Sequence, residues 1–548
     1  MSGLLFHELL TDRASSCPHA IALEHGDRVI AYAEAAAETR AWAQFLRRLG
    51  VGRFDRVGVY LPMQIEAVTA LFGASLAGAV FVPIIPMLRP AQAHRIVLDS
   101  GCKWLITTAE RLLSLRQQGL DWSCLSCVIV VGELPQADLE PAPFRVQVWR
   151  TEPVGPDFLP TPVIDADVAA LLYTSGSTGA PKGVVLSHRN LVCAARSSVE
   201  CLDNRPDDRL LVILALGFDY GLSQVTSAFA CGACAVLFEY LTAADIVRAV
   251  SRLRITGLAT VPSVWIGLAA QTWPPRAAKT LRYGTNSAAA LPQTTLLALR
   301  AKLPHTGFHL MYGLTEAFCS TCLLPQEIDQ RPGSVGRAMP QAEVAVLRDD
   351  GSHCRPGERG ELVHRGGLVA LGYWRDPVLT AVRFRPWPHT APELPLSELA
   401  VWSGDEVSMD AQGYLYFHGR RDELVKVGGV SVHPLEVERA IDTMMDLDEL
   451  VAVPLSNATL GTVMVVLAVD EAKRGCDLAA VMRRCQRELP SHLVPRALYL
   501  CESLPHTASG KVDRTQVIAD VLCGRLPGLE AASTARPAQV PAIDPGDR

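Results

Sequence analysis

The sequence predicts an α/β protein. A large N-terminal lobe is built of parallel-sheet α/β subdomains with a small β-barrel-like subdomain, and a small α+β domain follows. Three observations carry this. Short apolar runs alternate with helical patterns from residue 50 onward, which implies right-handed crossovers and sheets covered on both faces. From about residue 340 the texture turns to short strands separated by D-G and P-G turns. After about residue 420 comes a compact unit of two helices around strands.

Taken in order, "RVGVYLP" (56–62), "GAVFVPI" (78–84), "KWLITT" (103–108) and "SCVIVVG" (126–132) have the length and β-branched content of buried strands. "IEAVTALFGASLAG" (65–78) and "PAQAHRIVLDSG" (90–101) read as the helices between them. The alternation resumes with "VAALLYT" (168–174), "LLVILAL" (210–216), "CAVLFEY" (234–240) and "GLATVPS" (257–263). "AEVAVLRDDGSHCRPGERGELVHRG" (342–366) suits a small antiparallel sheet or barrel. "PLEVERAIDTMM" (434–445) and "AAVMRRCQREL" (479–489) are the helices of the last unit. Residues 524–548 are rich in Pro, Ala and Gly and are expected to be a disordered tail.

Composition narrows the function. The chain has 548 residues, 49% apolar and 20% charged, with a formal charge of −6. A general nucleic-acid binder would carry a basic excess, so small substrates or protein partners are expected and nucleic acid is not. The N-terminus has no basic n-region before an apolar run, so no signal peptide is expected. The apolar stretch 210–238 is long enough to span a membrane, but Gly217, Asp219, Gly221, Ser223 and Gln224 interrupt it. Buried strands are the better reading, and a cytoplasmic protein without a membrane span is expected. Fifteen cysteines include three CxxC spacings, Cys124/Cys127, Cys231/Cys234 and Cys319/Cys322. These pairs are too far apart in sequence for a four-cysteine zinc site, so buried free thiols are expected.

The densest chemical signal is "YTSGSTGAPKGV" (173–184). Glycines let backbone N–H groups turn toward an anion, while Thr174, Ser175, Ser177, Thr178 and Lys182 add donors around Gly176 and Gly179. It is not the GxxxxGK[ST] loop of kinases and GTPases, because Gly183 follows Lys182. Alone, such a segment also matches an ordinary surface turn. It is followed, in order, by "YGLTEA" (312–317), "SGDEV" (403–407), "GRRDELVK" (419–426) and "PHTASGKVDR" (505–514). This ordered set resembles the adenylate-forming (AMP-binding) superfamily over roughly residues 5 to 520. Within it, the chain is most similar to stand-alone AMP-forming acyl-CoA ligases of the exosortase-associated type and to free-standing amino-acid:carrier-protein ligases.

The resemblance implies an ATP- and Mg²⁺-dependent ligase. A carboxylate attacks the α-phosphate of ATP, and the acyl-adenylate then passes its acyl group to the pantetheine thiol of CoA or of a carrier protein. It implies that the loop closes over the triphosphate, that Thr315 meets the α-phosphate and Glu316 the metal, and that Tyr312, with Gly313 beside it, stacks on adenine. "GTNSAAAL" (284–291) would line the adenine, making Asn286, Ser287 and Ala288 weaker candidates. Asp405 would accept the ribose hydroxyls with Arg420 beside it. Lys511 would be the catalytic cation of adenylation and Lys426 that of thioester formation. Asp422 would be the hinge of a mobile C-terminal domain, giving domains 1–421 and 422–523 ahead of the tail. The chain departs from the family where Ser431 stands for a usual arginine and Ser403 for a usual threonine, which puts in doubt how the thiol acceptor is gripped.

Substrate choice hangs on "LGFDYGLSQ" (216–224). By resemblance Asp219 aligns with an aspartate that pairs with the substrate ammonium in amino-acid-activating members. The alternative is that Asp219 caps the following helix. Tyr220, Ser223, Ala259, Tyr283 and Cys319 are the other candidate pocket residues, suggesting a small or medium acid. No carrier-like segment follows residue 520, so any carrier is expected to be a separate protein. Two alternatives stay open: a fatty or aryl acyl-CoA synthetase with a structural Asp219, and a non-catalytic nucleotide-binding module.

Overall fold

The computed structural model describes residues 3–117, 119–134, 143–155, 158–175, 181–427, 430–442, 444, 449–457, 461–470, 476–507, 510–525 and 530–531. The chain divides into two compact units. The larger comprises residues 1–403 and 407–417, the smaller residues 404–406 and everything from His418.

Two large sheets build most of the larger unit. The nine-stranded one runs, edge to edge, 337–338, 318–323, 307–314, 283–286, 257–260, 209–212, 234–237, 21–25 and 28–31. Its six middle strands, from 307–314 to 21–25, are parallel. The eight-stranded one runs 372–373, 181–187, 168–175, 80–83, 56–60, 104–108, 127–131 and 145–148. Six of its strands are parallel and the 181–187 and 372–373 strands are antiparallel additions. Parallel strands need helical crossovers, and the apolar runs with helical patterns between them provide these.

Helices fill the space between the two sheets. Ile65–Leu76 packs against the 56–60 and 80–83 strands of one sheet and the 21–25 strand of the other. Every residue of it except Glu66 is buried, which explains an apolar pattern on all faces. His188–Leu202 likewise touches the 168–175, 181–187 and 318–323 strands. It begins at Ser187, whose hydroxyl accepts the Asn190 N–H at 3.2 Å. The core between the sheets includes Phe6, Trp42, Phe72, Phe81, Leu191, Val225 and Phe229.

The stretch 210–238 is the strand Arg209–Val212, the helix Asp219–Cys231 and the strand Cys234–Leu237. Among the described residues no helix is long and apolar enough to cross a membrane. All fifteen cysteines carry free thiols.

From residue 342 a five-stranded sheet follows the order 342–347, 359–366, 399–409 and 384–386, with 415–420 pairing the long 399–409 strand. This branching sheet is what the D-G and P-G punctuation encodes. The division between units cuts it, since residues 404–406 and 418–420 cluster with the smaller unit.

The smaller unit has a six-stranded sheet with apolar side chains on both faces. Val432, Val466 and Leu498 pack with helices Pro434–Asp442 and Leu478–Glu488. Val451, Val465 and Leu467 pack with Val517 of helix Arg514–Leu522. Residues 530–531, read from composition as part of the tail, form an edge strand against Tyr499–Leu500. Backbone pairing at a sheet edge needs no particular side chains, so a Pro/Ala/Gly-rich composition does not reveal it. Residues beyond 531 lie outside the described ones.

Candidate active site

The phosphate-loop motif is a β-hairpin. Strands 168–175 and 181–187 pair with Thr174 opposite Lys182 and Tyr173 opposite Gly183. Gly176, Ser177, Thr178 and Gly179 lie outside the described residues, as does the Ser175 side chain. The hairpin's stems are firmly framed. The Tyr173 hydroxyl donates to the Asp99 carboxylate, and the Trp374 indole donates to the Asp99 carbonyl at 3.1 Å. Backbone N–H groups of Trp374 and Leu371 donate to Gly183 and Val185 at 2.7 and 2.8 Å. Neither Asp99 nor Trp374 carries a chemical signal in the sequence.

"YGLTEA" is a second hairpin, at the carboxyl end of a parallel strand, where open α/β sheets bind their ligands. Strand Gly307–Leu314 turns back as Phe318–Leu323, with Gly313 opposite Cys319 and Leu314 opposite Phe318. The Ala317 N–H donates to the Leu314 carbonyl at 2.9 Å, which presents Thr315 and Glu316 at the tip. A Cβ on Gly313 would lie 2.0 Å from the Phe318 carbonyl oxygen, so only glycine fits. Phe318 has φ 53°, an uncommon value for a bulky residue and one held by the surrounding structure. The Glu316 carboxylate accepts the Tyr373 hydroxyl through Oε1, while Oε2 accepts no hydrogen bond among the described residues. One anchored and one available oxygen suit a monodentate ligand of a hard cation such as Mg²⁺.

Strand alternation sorts the remaining candidates. Phe308 and Leu310 pack into one core, and Tyr312, two residues on, lies against Phe417 with ring centroids 5.7 Å apart. Asn286 ends its strand and donates from Nδ2 to the Ala289 carbonyl at 2.9 Å. That bond pins the expected adenine strip, in which Ser287 is half-buried and Ala288 has φ 76°.

On the opposite face, toward helix Asp219–Cys231, lie the acid-side candidates. Ala259 pairs with Thr285, and the Thr285 hydroxyl shares a 2.5 Å hydrogen bond with the Tyr220 hydroxyl. Asp219 opens the helix, and its Oδ1 accepts the Tyr220 N–H at 2.7 Å. The preceding Phe218 is the N-cap, so Asp219 serves the helix end from the first turn. Gly221 lets this turn sit on its own entry loop, since a Cβ there would be 2.2 Å from the Ala215 carbonyl. Ser223 donates to the Tyr220 carbonyl at 2.9 Å. Burial pushes the Cys319 thiol well above its ordinary range, with the charges of Cys201 and Asp219 adding to it. Asp219 and Cys319 are therefore electrostatic neighbours. Burial likewise raises the Tyr220 phenol. Tyr283 differs from this group. It opens its strand rather than ending it, and its hydroxyl accepts Asn204 Nδ2 at 2.9 Å within the core. The strand Tyr283–Asn286 is short and carries no continuous apolar run, so the sequence marks neither the strand nor the end of it that the ring serves.

In the smaller unit Asp405 is 5% exposed and lies 3.3 Å from the Arg420 guanidinium. Arg420 also donates twice to Asp422, both at 3.1 Å. Burial works against the Arg420 charge. The hydrogen bonds to Asp422 and the charges of Asp405, Asp422 and Glu423 outweigh it and hold the pKa above the usual arginine value. One guanidinium thus joins the ribose candidate to the hinge candidate. Lys426 is exposed on strand Val425–Val427, opposite Ser431. The Ser431 side chain is outside the described residues. Lys511 is exposed beside Gly510, in a turn closed by the Thr507 N–H to the Lys511 carbonyl at 2.8 Å. Arg514, three residues on, donates to Glu423 and Glu438, tying the base of the Lys511 loop to the turn containing Asp422. His433, against Glu406 at 3.1 Å, is a further buried group that motif reading passes over.

A phosphate-loop hairpin, a carboxylate suited to a hard cation and a second unit bearing two exposed lysines define a class. It is an ATP-dependent, AMP-forming acid–thiol ligase, which activates a carboxylate as an adenylate and forms a thioester. The chain belongs to the AMP-binding enzyme family: the AMP-binding enzyme pattern matches residues 10–374 and the AMP-binding enzyme C-terminal domain pattern matches residues 436–511. A feruloyl-CoA synthase from Streptomyces sp is 30% identical over 515 residues, covering 92% of this chain and 96% of that one. The L-proline–[L-prolyl-carrier protein] ligase of Streptomyces coelicolor is 30% identical over 505 residues, covering 89% and 91%. A linear gramicidin synthase polypeptide of Brevibacillus parabrevis is 29% identical over 517 residues, which span 94% of this chain and only 10% of that protein. The fold matches the crystal structure of the anthranilate CoA ligase AuaEII in complex with anthranoyl-AMP, with a TM-score of 0.83, 24% identity and coverage of 95% and 98%.

Proposed function

We propose that the acid is a small amino acid or amino-substituted carboxylic acid, and that Asp219 receives its ammonium. The observation that carries this is the half-buried Asp219 carboxylate in the first helical turn, beside half-buried Tyr220 and Cys319 and on the face of the sheet that bears Ala259. A carboxylate set among such weakly polar neighbours attracts a cation strongly, and the substrate would supply one. The likeness to the L-prolyl-carrier ligase and to gramicidin synthase supports the reading. A second reading, an aryl or fatty acid with Asp219 serving only the helix end, is favoured by the 2.7 Å bond from Tyr220 N–H and by the likeness to feruloyl-CoA synthase.

In either reading the acid's carboxylate oxygen attacks the α-phosphorus of ATP and pyrophosphate departs. The obstacle is anion meeting anion, so the residues act by positioning and by neutralising charge. Thr174, Lys182 and the loop they flank hold the phosphates, Thr315 donates to the α-phosphate and Lys511 meets the developing charge. Bound magnesium neutralises phosphate charge, and Glu316 would hold it. Asp405 and Arg420 take the ribose, and the strip around Asn286 with Tyr312 takes the adenine. After rotation about Asp422, the Lys426 face guides a pantetheine thiol to the acyl carbon, and AMP leaves. The acceptor is a separate carrier protein or CoA, and the reaction belongs in the cytoplasm, where both occur.

The test is acid-dependent ATP–pyrophosphate exchange over amino-acid, aryl-acid and fatty-acid panels, with Asp219→Ala in parallel. Removing one member of an ion pair enclosed on binding costs about 3–5 kcal/mol, or about two to four orders of magnitude in kcat/KM for the ammonium-bearing acid. Exchange with aryl or fatty acids that is indifferent to Asp219→Ala establishes the second reading instead.

A further inference from the structure

The Glu316 carboxylate does not hold itself in place. Its Oε1 accepts the hydroxyl of Tyr373, which lies 57 residues further along the chain and is 8% exposed. Three further contacts fix Tyr373. Its strand pairs with the phosphate-loop stem, Tyr373 opposite Val184. Its N–H donates to the Thr380 hydroxyl at 3.0 Å, and its ring meets Phe384 edge-on at 5.7 Å. Gly372 has φ 130° and a Cβ there would lie 2.7 Å from Thr380 Cγ2, so the strand is seated tightly on its helix. The Glu316 carbonyl in turn accepts the Ala370 N–H at 2.8 Å. Residues 370–374 therefore hold the Glu316 loop from one side and the Lys182-bearing strand from the other.

We propose that Tyr373 is the positioning residue for Glu316. Its hydroxyl occupies one carboxylate oxygen and fixes the rotamer, so that the other oxygen is the one offered to the divalent cation of the nucleotide. This rests on the reading of Glu316 as the metal-holding carboxylate. Without the hydroxyl, Glu316 keeps its charge but loses its fixed orientation, and cation affinity falls while nucleotide affinity does not. Groups that orient a metal ligand typically contribute about 10–100-fold to metal affinity.

The test uses the full-length protein with α,β-methylene-ATP and Mn²⁺, free and bound cation being separated by electron paramagnetic resonance. Tyr373→Phe keeps the ring and its packing on Phe384 and removes only the oxygen. The dissociation constant for Mn²⁺ in the nucleotide complex is expected to rise by about 10–100-fold in Tyr373→Phe. Binding of the nucleotide alone should stay unchanged, and exchange activity should be restored by raised Mg²⁺, which a packing defect would not allow. Glu316→Gln is the control for the underlying reading. If Glu316→Gln weakens Mn²⁺ binding and Tyr373→Phe does not, the positioning role is overturned and the metal role stands. If Glu316→Gln leaves Mn²⁺ binding unchanged, both are overturned.

Discussion

Gly313→Ala links the hairpin's backbone to its chemistry. The added methyl would lie 2.0 Å from the Phe318 carbonyl oxygen and 2.8 Å from Cys319 Cα, both backbone atoms that no rotamer change can move aside. To reach the 3.4 Å of ordinary contact the two strands must part by about 1.4 Å. The separation falls next to the bulge between Tyr312 and Gly313 and two residues from Thr315. Overpacking of this kind costs about 1–3 kcal/mol, which a protein of this size survives. The displacement is carried straight to Thr315 and Glu316, however, and misplacement by about 1 Å costs about 100-fold in rate. Gly313→Ala is therefore expected to fold, with a lowered melting temperature, and to lose about 100-fold in kcat for ATP–pyrophosphate exchange. The assay pairs that exchange with a thermal melt. Wild-type exchange in the variant would refute the claim that this glycine sets the position of the catalytic tip.

Other consequences concern the lysines and pH. Lys511→Ala is expected to abolish adenylate formation yet spare thioester formation from a supplied acyl-adenylate, while Lys426→Ala does the reverse. Equal loss of both half-reactions in each variant would sink the alternation of the two faces. Four of the buried histidines make stability acid-sensitive. Burial pulls His7 from 6.5 to about 3, and His188, His309 and His364 to about 4. His188 Nδ1 accepts the Phe6 N–H at 3.1 Å, a bond that requires an unprotonated nitrogen. Because the folded pKa values are depressed, the stabilisation is full above pH 6.5 and is lost as pH falls toward 4. The steepest loss is about 1.4 kcal/mol per pH unit for each histidine. Urea unfolding at pH 7.5 and 5.5 checks this, and an unchanged unfolding free energy would contradict it.

Most of the parallel strands were legible because they are continuous apolar runs, and parallel strands must be joined by helices; 145–148 (RVQV) and 283–286 (YGTN) are short and partly polar and were not. The site motifs were legible because the residue types expected to meet phosphate, metal and ribose, such as Lys182, Glu316 and Asp405, stand in short ordered segments of the sequence. What lay hidden is what orients those residues. Tyr373, Asp99 and Arg514 reach their partners across 57, 74 and 76 to 91 residues of sequence. A hydrogen bond of that span leaves no local pattern. Tyr283 shows the other limit, because its four-residue strand YGTN has no apolar run to mark it, and nothing local says that the ring turns to Asn204 in the core. The cut between the units falls at His418 and inside the 399–409 strand, since compactness follows contacts rather than the turn at Asp422.

The most direct measurement follows an oxygen atom. When the preferred acid carries ¹⁸O in its carboxylate, attack on the α-phosphorus makes one labelled oxygen the bridge of the mixed anhydride. Thiol attack at the acyl carbon then leaves that oxygen on AMP. Mass spectrometry of the products should find one ¹⁸O in AMP and one in the thioester. Label in inorganic phosphate with ADP as the nucleotide product, or AMP without label, would contradict carboxylate adenylation.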